Sequence, residues 1–182
     1  MNNSSKPLSE RKNILKDLAE QTEKVTDGLG KPIEDDIKNI VIMLNAFKLL
    51  TRASCAGHLN KWSYGAPWVM VGSESPIDQD STTENDELRE RIIQETSTMR
   101  ARTVSLLEQF YKTHNVDYSV MLHPDGGGYF FRIKSIGLEE FNSLDDETRE
   151  RLLPIYSKEM NDFADFLRNK FLNEGPFKTN SN

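Results

Sequence analysis

Residues 118–133 read Tyr118-Ser119-Val120-Met121-Leu122-His123-Pro124-Asp125-Gly126-Gly127-Gly128-Tyr129-Phe130-Phe131-Arg132-Ile133, and this stretch decides the fold class. Two runs rich in aromatic and branched residues, 118–122 and 129–133, flank a glycine-rich segment, which is the pattern of a β-hairpin. The three glycines suit a turn that needs positive φ. They lie inside a hairpin and not between a strand and a helix, so they are only a weak signal for phosphate binding.

The sequence around this hairpin alternates between helical and extended patterns. Four segments carry apolar residues at helical spacing: residues 8–26, 32–44, 84–114 and 144–173. Two short runs, 49–55 and 67–72, are typical of strands. Pro154 predicts a kink or a restart in the last helix. We therefore predict an α+β fold, with a small mixed or antiparallel sheet of about four strands packed against three or four helices.

The chain has 182 residues, which is enough for one sizeable core, and its composition shows no internal break. We predict a single domain over residues 1–182. Residues 1–7 and 176–182 are expected to be flexible tails, and residues 73–83 a mobile loop, because their composition is polar and turn-prone.

The charge pattern bears on the partner and the compartment. The net charge is −6, and the 23 basic residues are interleaved with 29 acidic ones, which disfavours nucleic acid as a partner. No apolar run approaches the roughly 18 residues of a membrane span, and the N-terminus has no signal-peptide pattern. A single cysteine allows no internal disulfide and indicates a reducing compartment. We expect a cytoplasmic protein without a membrane partner.

The candidate site is the segment Thr51-Arg52-Ala53-Ser54-Cys55-Ala56-Gly57-His58, which holds the only cysteine and one of three histidines. Polar residues that directly follow a strand are frequent members of binding sites. We predict a pocket at the ends of the first two strands. Its candidate ligand-binding residues are Arg52, Ser54, Gly57, Trp68, His123 and Arg132, and Trp62 or Trp68 is expected to supply an aromatic wall.

Two of the chemistries open to this segment use Cys55 and His58 directly. Cys55 can act as a catalytic thiolate if His58 or Arg52 lowers its pKa, which makes Cys55 and His58 the candidate catalytic residues. The same two side chains can instead be the first ligands of a zinc or iron ion, with His123 or Asp125 supplying the next ligand. The sequence does not choose between these chemistries and identifies no cofactor.

A third chemistry is non-covalent, and a purely structural role competes with all three. Ser54, the backbone around Gly57 and His58 can hydrogen-bond an anionic or purine-like small molecule. Alternatively, Cys55 packs in the core on the strand face that it shares with Ala53 and Leu49, since cysteine is among the most buried residue types.

A different class of function is also open. The long amphipathic helices over residues 84–114 and 144–173 can serve a non-catalytic interaction or regulatory module, or form the seam of a homodimer.

The segments around the candidate site resemble those of two groups of proteins. Residues 27–33, the helix to Leu44-Asn45, Thr51–His58 and Pro67-Trp68-Val69 look like a group of uncharacterised bacterial and phage proteins with a Ser-Cys-x-Gly-His signature. More distantly, Ile33-Glu34, Leu44-Asn45, Thr51 and Ser54-Cys55-Ala56-Gly57 are similar to the N-terminal part of the tRNA wybutosine-synthesis methyltransferase family.

The signature of that methyltransferase family is a helix followed by Ser-Cys-Ser-Gly-Arg. In this chain Ala56 and His58 stand where the family has serine and arginine. The likeness covers about a quarter of the chain. It implies an α+β fold and a nucleoside-type ligand near Ser54, Cys55 and Gly57, so it suggests where a site lies and not which reaction occurs there.

Overall fold

A computed structural model of the chain describes residues 6–27, 29–59, 65–73, 86–141 and 143–174. The predicted tails and the predicted mobile loop lie outside the described residues, apart from residues 6, 7 and 73. Trp62 lies outside them as well.

The described residues form five helices and four strands. The helices are α1 (Leu8–Thr22), α2 (Asp35–Ala46), α3 (Asp86–Tyr111), α4 (Leu138–Phe141) and α5 (Asp146–Glu174). The strands are β1 (Thr51–Cys55), β2 (Trp68–Gly72), β3 (Leu122–Gly127) and β4 (Phe130–Ser135). They form one sheet in the order β1-β2-β4-β3, and every neighbouring pair is antiparallel. The predicted α+β fold is confirmed.

The main core lies between one face of the sheet and the long helices. Val69 and Val71 of β2 pair with Ile133 and Phe131 of β4, and all four side chains are fully buried. The α2 residues that meet this layer share the helical spacing expected from the sequence; they are Ile37, Ile40, Val41 and Leu44. Because α2 is anchored this way, the start of α2 and the end of β1 come close together.

Helix α5 runs through Pro154 without a break, so the predicted restart at this residue is not found. Pro154 lacks an N–H group, which removes one hydrogen bond of the helix. The neighbouring Tyr156 packs in a second, smaller cluster of buried residues with Phe141, Leu138, Val120 and Ala66. The short helix α4, which belongs to this cluster, was not predicted.

The predicted boundaries of the first hairpin strand and of the loop were wrong. Residues 118–120 form a turn, and β3 begins only at Leu122, so most of the segment expected to be a loop is a strand. The reversal occurs at Gly128-Tyr129, with φ of +78° at Gly128, as a type II′ turn requires. The proline and glycines did not end the strand because β3 is an edge strand, where Pro124 can stand without donating to a neighbour.

The predicted alternation along β1 also fails. Thr51 pairs with Val71, but Ala53 pairs with Met70, so a bulge lies between Thr51 and Ala53. One extra residue moves the side chains that follow to the opposite face of the sheet. Cys55 consequently lies opposite Trp68, half-buried and outside both buried clusters, and not on a core face shared with Leu49 as the structural alternative would have it.

Candidate functional site

A pocket of about 490 Å³ lies between β1 and the segment that connects α1 to α2. All five residues of β1, Thr51–Cys55, contribute to its lining. Successive side chains of a strand point to opposite faces, so a pocket lined by five in a row runs along the edge of the strand. Among the residues that the structure describes, β1 is the first strand in the sheet order, and no other strand pairs with its outer edge. The pocket therefore has access to backbone groups as well as side chains.

The other wall of the pocket is a tightly hydrogen-bonded turn. The Asp27 side chain accepts hydrogen bonds from the N–H groups of Leu29 and Lys31, both at 2.8 Å, and these bonds lower the pKa of Asp27. The Asp27 N–H donates to the Lys31 carbonyl at 2.8 Å, and Gly30 adopts a φ of +76° that suits glycine. These three hydrogen bonds and the Gly30 conformation give the wall a defined shape.

Both ends of this wall are tied to the helices. The Lys38 ammonium contacts Glu23, just after α1, at 2.9 Å, and Asp35, at the start of α2, at 2.7 Å. The Lys38 side chain is mostly covered, but both carboxylates are exposed, so these ion pairs contribute little to stability and chiefly link the end of α1 to the start of α2.

Asn45 fixes the position of β1 against α2. Its amide nitrogen donates to the Thr51 hydroxyl at 2.8 Å and to the Val41 carbonyl at 3.0 Å. Its carbonyl oxygen accepts the Thr51 N–H at 3.1 Å. All three residues line the pocket, so this contact sets the depth of the pocket floor.

Glu34, Cys55 and His58 form a polar cluster at one end of the pocket. Their oxygen, sulfur and ring-nitrogen atoms all lie within 4.8 Å of one another, and the three side chains are half-buried. His58 Nε2 lies 2.6 Å from Glu34 Oε1, and Glu34 Oε2 accepts the Ala56 N–H at 2.6 Å. The carboxylate thus joins the N-terminus of α2 to the turn after β1.

The environment of Cys55 favours its protonated form. Burial raises the pKa of the Cys55 thiol, the negative charge of Glu34 adds to this effect, and a hydrogen bond from the Gly57 backbone opposes it. A thiolate nucleophile requires the reverse, a lowered pKa. A metal ligand requires the thiolate as well, so either role at this site needs a positive charge, such as a cation, beside the Cys55 sulfur.

The structure brings four of the predicted site residues into one pocket. Arg52, Ser54, Cys55 and His58 all line it. Gly57 shapes the turn between them: its φ is +92°, and a Cβ at this position would lie 2.7 Å from a methyl group of Leu153.

The other three predicted residues lie elsewhere on the sheet. The guanidinium of Arg132 sits over the Trp68 ring, 4.7 Å from its centroid, and neither residue lines the pocket. His123 is on β3, separated from β1 by β2 and β4, so it is not near Cys55. Trp68, although it pairs with Cys55 in the sheet, and His123 thus lie outside the lining of the pocket that holds Cys55.

Sequence reasoning did not find Glu34, which takes the place foreseen for His123. Glu34 lies 21 positions before Cys55 and belongs to no recognisable sequence motif. It is the residue that immediately precedes α2. Its only signal was its presence in the Ile33-Glu34 pair of the resemblance stated above.

A second polar cluster lies between α3 and α5. Glu159 is 2% exposed; it accepts a hydrogen bond from the Tyr111 hydroxyl at 2.7 Å and lies 2.9 Å from His114 Nε2. The Leu122 N–H donates to the Tyr111 oxygen at 2.6 Å. Burial and the Glu159 carboxylate raise the pKa of Tyr111. The network joins α3, α5 and the start of β3, which is a structural role.

No protein-family model matches the chain, and comparisons with curated proteins and with solved structures found no match either. Among the described residues, no helix combines the length and the apolar character needed to cross a membrane. The pocket and its geometry are therefore the basis for a functional proposal.

Proposed function

We propose that this protein binds a small polar ligand of the nucleoside or nucleotide type in the pocket beside β1, at the turn that holds Ser54, Cys55 and His58. The observation that carries the proposal is that these three side chains line a single pocket of about 490 Å³. Small-molecule sites occupy roughly 300–1,000 Å³ and combine apolar walls with a few convergent polar groups.

The polar groups of the pocket suit a ligand with hydroxyls and one anionic group. Lys31 and Arg52 supply positive charge, while Asp27 and Glu34 supply carboxylates. A guanidinium and an ammonium are the usual partners of phosphate, and carboxylates accept hydrogen bonds from sugar hydroxyls. The apolar part of the lining comes from Val25, Pro32, Ile33, Val41 and Ala53.

The nucleoside class is supported by the resemblance around Ser54, Cys55 and Gly57. Among the described residues, no Phe, Tyr or Trp lines the pocket, so none of them is placed to stack on a base. Specificity would depend instead on hydrogen bonds to Ser54, to Arg52 and to backbone groups of β1 other than the Thr51 N–H, which Asn45 already accepts.

The test is a native mass spectrum of the full chain taken directly from cells, before and after mild denaturation. We expect an extra mass that is lost on denaturation and absent in His58→Ala. The matched control is His123→Ala, which changes a histidine at the opposite edge of the sheet and should retain the extra mass. If the native mass equals the mass of the polypeptide alone, and millimolar nucleosides and nucleotides leave the melting temperature unchanged, the proposal is wrong.

A non-catalytic role through α3 and α5 is the second candidate. Most apolar residues of these helices are buried in the core, and Ile93 and Ile155 are their only large hydrophobic residues that are exposed among the described residues. Two isolated residues form no large apolar patch. This candidate predicts a dimer in light scattering at micromolar concentration, whereas the ligand-binding proposal needs only a monomer.

A further inference from the structure

The Glu34–Cys55–His58 cluster contains the ligand types of a transition-metal site. It offers one thiol sulfur, one imidazole nitrogen and one carboxylate oxygen, whose atoms all lie within 4.8 Å of one another. Sulfur and imidazole ligands favour zinc and its neighbours over magnesium or calcium, which prefer oxygen alone. We propose that Glu34, Cys55 and His58 bind one zinc ion, with the fourth coordination position directed into the pocket.

Only small movements are needed to admit the ion. At bond lengths of about 2.0–2.1 Å, tetrahedral coordination places nitrogen and oxygen ligands roughly 3.3 Å apart. His58 Nε2 and Glu34 Oε1 are 2.6 Å apart, so the ion would replace this contact after an opening of less than about 1 Å. Half-buried side chains can make such a change without moving α2 or β1.

The surrounding backbone already orients two of the ligands. Glu34 Oε2 accepts the Ala56 N–H at 2.6 Å, which leaves Oε1 directed at the cluster. A backbone hydrogen bond from Gly57 reaches the Cys55 sulfur. Outer contacts of this kind fix ligand geometry in metal sites. A Cys55 thiolate, a Glu34 carboxylate and a neutral His58 would also balance the charge of a divalent ion, which lowers the cost of burying it.

Three protein ligands plus one open position is the arrangement of catalytic zinc sites. All three ligands line the pocket, so the open position would face whatever the pocket holds. The inference depends on the proposed function only for what occupies that position, because zinc binding itself needs no small ligand.

The second polar cluster provides an internal control. The side chains of His114, Glu159 and Asp162 also lie within 4.8 Å of one another. Both Glu159 oxygens already have protein partners, Tyr111 and His114, and Asp162 contacts Lys158 at 2.5 Å. A metal ion there would have to break a buried network, so we expect no zinc at this cluster.

The experiment measures zinc affinity of the full-length protein after removal of metal with a chelator, by competition with a chromophoric chelator. We expect one equivalent of zinc and a loss of affinity of about tenfold or more in Cys55→Ser, His58→Ala and Glu34→Gln. His114→Ala and His123→Ala should bind zinc as the wild type does. Circular dichroism and urea denaturation of each variant show whether it is folded.

Cobalt(II) provides a direct signature of the sulfur ligand. Cobalt-loaded wild-type protein should show a near-ultraviolet thiolate-to-cobalt band that Cys55→Ser lacks. No zinc binding at micromolar concentration, or equal affinity in Cys55→Ser and the wild type, overturns the inference. A zinc-binding protein that leaves nucleosides and nucleotides unbound, with and without zinc, would overturn the proposed function and leave the metal site in place.

Discussion

The contact between Asn45 and Thr51 should make a measurable contribution to stability. Asn45→Ala removes two hydrogen bonds that join α2 to β1, at 2.8 Å and 3.1 Å, and one bond back to the Val41 carbonyl. Each bond between the two elements contributes roughly 0.5–1.5 kcal/mol, and the part-buried Thr51 N–H loses its Asn45 acceptor. We expect the free energy of unfolding to fall by about 2 kcal/mol.

Asn39→Ala is the matched control on the same helix. Asn39 is exposed, and its side chain has only a 3.4 Å contact with Arg168. Both substitutions replace asparagine by alanine in α2 and gain helix propensity of up to about 0.7 kcal/mol. This gain is common to the two variants, so the difference between them reports the contact with β1.

The assay is urea denaturation of both variants, with the slope of the transition compared to exclude a change in the denatured state. For a chain of this length, a loss of about 2 kcal/mol corresponds to a fall in melting temperature of about 4–8 °C. If Asn45→Ala unfolds within about 0.5 kcal/mol of Asn39→Ala, the reasoning that this contact anchors the pocket floor is refuted.

Three further substitutions test other features. Lys48, just after α2, has a φ of 58°, a left-handed conformation that favours glycine, so Lys48→Gly should raise the free energy of unfolding in urea by about 0.5–1 kcal/mol. A lower free energy of unfolding would contradict this. Gly57→Ala should lower stability by about 1–3 kcal/mol, since φ is +92° and its Cβ would lie 2.7 Å from a leucine methyl group; Gly127→Ala, with open space around it, should change far less. Asp125→Asn should lower stability at pH 7, because a hydrogen bond from Lys134 at 2.9 Å holds the pKa of Asp125 below its ordinary value. The loss should shrink as the pH falls through that lowered pKa, where the carboxylate becomes protonated, and a loss that is equal at pH 7 and pH 3 would contradict the assignment.

The helices could be predicted well from the sequence because their apolar residues recur at one period. The buried stripe of α2, which includes Ile37, Ile40 and Leu44, follows this rule directly. The boundaries and register of the strands were harder to predict, since they depend on the neighbouring strands of the sheet and not on the local sequence pattern. Pro124 reads as a loop residue unless β3 is known to be an edge strand, and the bulge after Thr51 leaves no mark in composition.

The candidate site was predicted only in part, because sequence patterns reveal residues that are neighbours along the chain but not contacts between distant segments. Ser54, Cys55 and His58 are neighbours in sequence, so their proximity in the pocket follows from one short turn. Glu34 reaches them only because α2 and β1 run in opposite directions, which brings the start of α2 next to the end of β1. This contact depends on tertiary packing and not on sequence proximity. His123 was chosen by residue type, and the sheet order places it three strands away.

The irregularities of the two outer strands have a consequence for self-association. An unpaired strand edge can act as a template for a second molecule, and regular edges lead to polymeric β-structures. Here one edge has the bulge after Thr51, and the other has Pro124, which has no N–H to offer. A straight incoming strand would find mismatched partners on either side. We therefore expect the two described edges to resist growth by sheet addition, which would leave the pocket along β1 open to a small ligand.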